Sequence, residues 1–106
     1  MQNMLHVDLL VPLAGNDGRP FQPLDFLLFE SFLLDVASGF TRRGVVDGAW
    51  RSPEGEVFFD QSRAYSVSVP VSGAEDAVRK IDTYIRTQFQ QEAAFVELLP
   101  TRATAF

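Results

Sequence analysis

One apolar stripe at helical spacing lies in the second half of the chain, between two segments that alternate with period two. The stripe consists of Ala74, Ala77, Val78, Ile81, Tyr84, Ile85 and Phe89. A helix with a single apolar arc covers a single neighbour, so the segment is expected to pack on one sheet. Ser72 and Glu75 have the spacing of a capping box, which predicts that the helix begins there.

The first half of the chain predicts one strand followed by one helix. Residues 5–11 alternate apolar and mixed positions, as a strand with one wholly apolar face does. The turn-forming run GNDGRP separates this strand from a helix over Pro23 to Ala37, in which proline suits the first turn. Gly39 is expected to end this helix in the left-handed conformation.

The middle of the chain predicts a long hairpin. A second strand around Val45 to Ala49 contains Gly44 and Gly48, which indicate a bulge or a close backbone approach. The turn Ser52 to Gly55 reverses the chain, and the alternation of RAYSVSVPV predicts a third strand. Trp50 stands at the turn, where packing on the returning Phe58 would anchor the hairpin.

A last strand is expected over Ala94 to Leu99, followed by a loose tail at 101–106. The order is strand, helix, strand, strand, helix, strand, and 106 residues suffice for one domain. Short connections and right-handed crossovers then favour an α+β ferredoxin-like sandwich, with a four-stranded antiparallel sheet and both helices on one face.

Charge and residue inventory exclude several classes of protein. The formal net charge is -5 and the longest basic run is Arg42-Arg43, so nucleic-acid binding is not expected. The absence of cysteine removes disulfides, thiolate metal sites and thiol nucleophiles. His6 and Asp8 interrupt the apolar N-terminal run, which has the pattern of neither a signal peptide nor a membrane span. We expect a cytoplasmic protein without membrane contact.

The first helix carries more apolar surface than one sheet needs. Its main face gathers Phe26, Leu28, Phe29, Phe32, Leu33 and Val36. A second stripe of Leu24, Leu27 and Leu34 lies beside Glu30 and Ser31 on the far side. Either the preceding loop or the tail folds over this stripe, or the stripe contacts another subunit, as exposed apolar patches commonly do.

The sheet face without helices is the first place to seek a ligand. His6 and Asp8 are two apart on one strand, so their side chains leave the same face. Glu97 would join them if the last strand neighbours the first. A histidine with two carboxylates suits a metal site or an acid-base pair, although a structural hydrogen bond is the commoner role of such a pair. We expect no resident metal or cofactor.

The segments GVVDGAW, EGEVFFDQSRAYSVSVPV and FVELLP resemble the second half of CutA-type and PII-like proteins, with a long tryptophan-bearing hairpin, a strand, a helix and a strand ending in Leu-Pro. In the first half, Gly39-Phe40-Thr41 and Gly48-Ala49-Trp50 resemble a segment of small uncharacterised ferredoxin-like bacterial proteins, a group that implies no particular activity. The CutA and PII resemblance implies a trimer whose hairpins embrace neighbouring subunits, with small ligands or metal ions in the clefts. The usual CutA cysteine is absent, and no PII-type nucleotide loop can be matched.

Two functional hypotheses follow. The first is a homodimeric or homotrimeric binding or regulatory module without catalysis, with interface candidates Leu24, Leu27, Leu34, Trp50 and Phe58. The second is a cofactor-independent dimeric α+β enzyme, monooxygenase-like or isomerase-like, in which the open face holds a small molecule. It predicts a closed cavity between the sheet and the helices, lined by Tyr65, Phe95 or Trp50, with His6 or Asp8 handling protons. Under either hypothesis the ligand-binding candidates are His6, Asp8, Glu97 and Tyr65.

Overall fold

The structure is a computed structural model that describes residues 2–89 and 95–103, with side chains for 3–89. Its elements in chain order are β1 (Gln2–Pro12), α1 (Pro23–Ala37), β2 (Thr41–Arg51), β3 (Val57–Pro70), α2 (Ala74–Gln88) and β4 (Phe95–Ala103). All paired strands are antiparallel: β3 lies between β2 and β1, and β4 borders β1. The prediction of an α+β fold with two helices and an antiparallel sheet is confirmed.

The core lies between the helices and one face of β1 and β3. Alternate residues of these strands are buried there, and they meet buried residues of both helices. The buried apolar set is Val7, Leu9, Val11, Phe26, Phe29, Leu33, Tyr65, Val67, Val69, Ala74, Ala77, Ile81, Ile85 and Phe89. Each large member contributes roughly 1.5–3 kcal/mol through burial, which fixes the registers of β1 and β3 because a one-residue slip would expose the whole set.

The stripe of α2 packs as predicted, but the helix begins differently. A single 3₁₀ turn, Val71–Gly73, precedes it, and Gly73 occupies the N-cap position without a side-chain cap. The prediction of a Ser72 capping box is therefore wrong, because the 3₁₀ turn places the helix start beyond Ser72. At α1, by contrast, the Asp25 carboxylate accepts a 2.7 Å hydrogen bond from the Gln22 backbone N–H.

Helix α1 ends in a left-handed residue, but that residue is Ser38 (φ 61°) and not Gly39. The Ser38 N–H donates to the Leu34 carbonyl at 3.1 Å. The terminator must directly follow the last helical residue, Ala37, so serine adopts a conformation that glycine would adopt without steric cost.

Both predicted irregularities of β2 are present. The register shifts between Arg42 and Gly44, which makes Arg43 the extra residue of a bulge, and Gly44 has φ 93°. At Gly48, a Cβ atom would lie 2.8 Å from Asp60 Oδ1, so the backbone approaches a neighbouring side chain closely. The two arginines that precede Gly44 reach opposite sides of the sheet, as successive strand residues do: Arg42 contacts Glu30 and Arg43 contacts Ser66.

Strand β4 extends beyond the predicted boundary at Leu99 and ends at Ala103. Residues 101–103, expected in the tail, therefore pair with β1. Residues 104–106 lie outside the described part of the chain.

Candidate functional site

The open face of the sheet brings His6 and Asp8 next to residues from two further strands. Asp8 lies directly opposite Ser66 of β3, and position 97 of β4 is opposite Asp8 on the other side. The register needed for the predicted grouping of His6, Asp8 and Glu97 is therefore present in the backbone. The structure describes the backbone of residue 97 but not its side chain.

A chain of three hydrogen bonds crosses this face. His6 Nε2 lies 2.7 Å from Asp8 Oδ1, and the Ser66 hydroxyl donates to the same oxygen at 2.8 Å. Arg43 then donates from Nε to Ser66 Oγ at 2.9 Å. Partial burial raises the pKa of Asp8, but the bonds from Ser66 and His6 and the positive charge of Arg43 outweigh it, so the pKa lies below its ordinary value.

The order of these groups decides their chemistry. Asp8 accepts the hydrogen bond of Ser66, and among the described residues no hydrogen bond joins the imidazole to the serine hydroxyl, which is the contact that would activate it as a nucleophile. Ser66 is also buried, with 4% of its surface exposed. The arrangement orients polar groups toward the open face and does not assemble a nucleophile with its base.

Two clefts adjoin this chain, and His6 and Arg43 line both. One has a volume of about 260 Å³ and is bordered by the segment 37–41 and by Ser68. The other, of about 390 Å³, is lined on its apolar side by Leu10, Val46 and Ala64. His6 and Arg43 thus stand at the centre of the concave part of this face.

Tyr65 borders the larger cleft, but its side chain does not belong to this group. It points toward the helices, is 1% exposed, and packs its ring against Phe29 at 5.4 Å between centroids. Its hydroxyl donates to Glu30 Oε2 at 2.9 Å. Of the four ligand candidates, the structure therefore joins His6 with Asp8, places position 97 beside them, and places Tyr65 on the other face.

Glu30 is the polar residue that sequence reasoning missed. The helical pattern predicts it on the far side of α1, yet it is 4% exposed. Arg42 donates to it twice, from Nε to Oε2 at 2.9 Å and from Nη2 to Oε1 at 2.5 Å. In the sequence, Glu30 is followed twelve residues later by Arg42 and Arg43, which could have indicated an ion pair. Only the path of the chain into β2 shows which of the two arginines reaches the carboxylate.

The contacts around Glu30 shift two pKa values in opposite directions. The hydrogen bonds from Arg42 lower the pKa of Glu30 against desolvation, and the bond from Tyr65 lowers it further. Desolvation and the contact with Glu30 raise the pKa of Tyr65 to about 12. Ionised Glu30 with neutral Tyr65 is therefore the stable state at neutral pH.

The interface candidates lie on two exposed surfaces. Leu24, Leu27 and Leu34 are all more than half exposed, and Leu28, expected in the main face, is 53% exposed with them. The preceding loop packs elsewhere, since Phe21 contacts Phe26 and Phe89.

The hairpin of β2 and β3 is the second surface. Trp50 and Phe58 are cross-strand partners with stacked rings, 4.8 Å between centroids. The stack is the predicted anchor, yet Trp50 remains 53% exposed. On the other face of the hairpin, Phe59 is 82% exposed.

Within the described side chains, no group of three or more histidine, aspartate or glutamate residues is placed to hold a metal ion. In the same part of the chain, no helix has both the length and the apolar composition to span a bilayer.

Comparison with solved structures identifies the architecture. The divalent cation tolerance protein CutA1 of Thermus thermophilus superimposes with a TM-score of 0.70 at 13% identity, covering 96% of this chain and 87% of that chain. CutA1 from Oryza sativa gives 0.70 at 11% identity, over 98% and 84% of the two chains. The chain has the CutA1 fold. No protein-family model and no curated sequence matches it.

The CutA1 fold is not confined to CutA1 proteins. A phage SAM lyase in complex with S-methyl-5'-thioadenosine has a TM-score of 0.68 at 14% identity, over 94% of this chain and 83% of that one. Identities this low establish the fold alone, so the function must be argued from the residues of this chain.

Proposed function

We propose that this protein is a self-associating ligand-binding or regulatory module of CutA/PII-like architecture, without catalysis of its own. The chain would form one cytoplasmic domain, a four-stranded ferredoxin-like sandwich completed by β4. The subunits would form a homodimer or a homotrimer through the hairpin, and small molecules would bind on the open face around His6 and Asp8.

The apolar surface of the hairpin carries this proposal. Apolar side chains are exposed on both of its faces: Val45, Trp50, Val57, Phe58 and Phe59. Exposed apolar surfaces of this kind mark interaction sites, aromatic residues are enriched in protein interfaces, and tryptophan is among the residues that dominate their binding energy.

The edge position of β2 supports the same conclusion. Strand β2 lies at the border of the sheet, and all of Thr41–Arg51 is exposed. An exposed edge of this length presents unpaired backbone donors and acceptors, which natural proteins normally cover. A neighbouring subunit packed along the hairpin would cover both the edge and the aromatic rings. The leucine stripe of α1 offers a second contact to the same assembly.

The enzyme hypothesis receives less support. The closed cavity that it predicts between the sheet and the helices is filled where Tyr65 packs against Phe29 and Phe40. The hypothesis also requires His6 or Asp8 to handle protons, and each is engaged in the hydrogen-bond chain with Ser66.

Light scattering of the purified chain at micromolar concentration tests the proposal. We expect two or three times the mass of the chain for the wild type. Trp50→Ala, and a double Phe58→Ser, Phe59→Ser variant, should lower the mass toward that of the monomer while the circular dichroism spectrum stays folded. A strictly monomeric wild type would remove the proposal's main support.

Val71→Ser provides the matched control, because Val71 is 51% exposed and lies outside both surfaces. This variant should keep the mass of the wild type. If it dissociates the assembly as strongly as the hairpin variants do, the contact lies elsewhere.

A further inference from the structure

The guanidinium group of Arg43 is held by one hydrogen bond and keeps further N–H donors for a ligand. Its Nε donates to Ser66 Oγ at 2.9 Å, which fixes the plane of the group over β3. Among the described residues, no ion pair joins Arg43 to a carboxylate, whereas Arg42 donates two hydrogen bonds to the Glu30 carboxylate. Within the same described part of the chain, the two terminal nitrogens of Arg43, which form the planar fork of the guanidinium, make no hydrogen bond, and Arg43 lines the clefts of the open face.

The fork faces a concave surface of mixed character. The cleft of about 390 Å³ has His6, Asp8 and Arg43 at its polar end. Its floor beside them is apolar, formed by Leu10, Ala64 and Val46 from three strands. Leu10 and Ala64 are direct cross-strand partners, so the floor is continuous across β1 and β3.

We propose that this cleft binds a small carboxylate with an apolar body, its carboxylate on the fork of Arg43 and its apolar part over Leu10, Ala64 and Val46. The inference rests on the ligand-binding role proposed above and names its ligand class. A planar fork matches the two oxygens of a carboxylate. Asp8 is an anion beside the site, and the hydrogen bonds that its Oδ1 accepts from Ser66 and His6, together with the positive charge of Arg43, stabilise it in that form.

The sequence offers a direct probe of this cleft. His6 is the only histidine of the chain, so its imidazole carbon-bound protons give one assignable set of NMR signals beside the proposed site. Benzoate is the test ligand, benzamide is its uncharged counterpart, and acetate carries the charge without the apolar body. Ionic strength is held constant so that screening does not imitate binding.

For the wild type we expect a saturable shift of the His6 signals with benzoate, and affinities at least tenfold weaker for benzamide and for acetate. Arg43→Gln should weaken benzoate at least tenfold, and Arg43→Lys should lie between, since lysine keeps the charge without the fork. Arg51→Gln, which alters an exposed arginine on the hairpin, should bind like the wild type. Val46→Ser should weaken benzoate several-fold and leave acetate unchanged.

Several results would overturn the proposal. They are the absence of a saturable shift in the wild type, equal binding of benzamide and benzoate, or unchanged benzoate binding by Arg43→Gln with a folded circular dichroism spectrum. An assembly of the expected mass that binds no carboxylate would reject this inference and leave the self-association intact. A monomer that binds benzoate through Arg43 would reject the proposed self-association and leave the carboxylate site intact.

Discussion

The Tyr65 hydroxyl donates a 2.9 Å hydrogen bond to Glu30 Oε2 across 35 residues of sequence. This contact ties the middle of α1 to the centre of β3, and Arg42 at the start of β2 donates to the same carboxylate. Three elements thus share one buried anion. Such a network is stabilising only while every partner is present, because a buried carboxylate without donors is costly.

Tyr65→Phe should lower the free energy of unfolding by about 2 kcal/mol, because it removes one hydrogen bond to a charged acceptor and leaves the ring packing intact. Chemical denaturation at neutral pH measures the difference. Tyr84→Phe is the matched control, since among the described residues the Tyr84 hydroxyl has no hydrogen-bond partner in the structure. An equal loss in the two variants would show that the Glu30 contact adds nothing.

Acid should weaken the fold through Glu30. Its pKa in the folded state is lowered, chiefly by the hydrogen bonds from Arg42, so its contribution is present above the unfolded pKa of about 4.5. That contribution is lost as the pH falls through the lower folded value. The free energy of unfolding should therefore decrease below about pH 4 in the wild type and decrease less steeply in Glu30→Gln.

The exposed Glu75 supplies the control for this prediction. Glu75→Gln should keep the pH slope of the wild type, because in the described part of the chain Glu75 forms no ion pair. Parallel curves for the wild type and Glu30→Gln would contradict the assignment of the acid sensitivity to Glu30.

The backbone angles predict opposite outcomes for two neighbouring residues. Ser38 is left-handed, so Ser38→Gly should stabilise the protein by about 1 kcal/mol through relief of steric strain. Gly39 has no positive φ, and nothing lies within 4 Å of an added Cβ, so Gly39→Ala should be neutral or slightly stabilising. Thermal unfolding compares the two.

Gly44→Ala tests the bulge in the same experiment. With φ 93° an alanine is strained there although space is open, so a loss of about 1 kcal/mol is expected. If Gly39→Ala were the more damaging substitution, the left-handed position would be misassigned.

Trp50 should report directly on self-association. It is the only tryptophan and is 53% exposed in the single chain. If the hairpin contacts a neighbouring subunit, its fluorescence maximum should move to shorter wavelength as protein concentration rises through the dissociation range. A constant maximum while the mass doubles or triples would place the hairpin outside the interface.

Much of the fold was readable from local pattern. Period-two alternation located β1 and β3, the single apolar arc located the buried side of α2, and Gly44 and Gly48 marked the irregular positions of β2. These features succeed because side-chain periodicity and the conformational freedom of glycine act over a few residues, where sequence neighbours are also spatial neighbours.

The candidate site was readable only in part. The pairing of His6 with Asp8 follows from their spacing on one strand, and so it was predicted. The partner of each arginine was not, because the register of β2 against β3 decides that Arg42 reaches Glu30 while Arg43 reaches Ser66. Sequence determined which residue types were present and which face of each strand was apolar. The tertiary structure alone decided which charges met across elements, since those contacts depend on register and chain path.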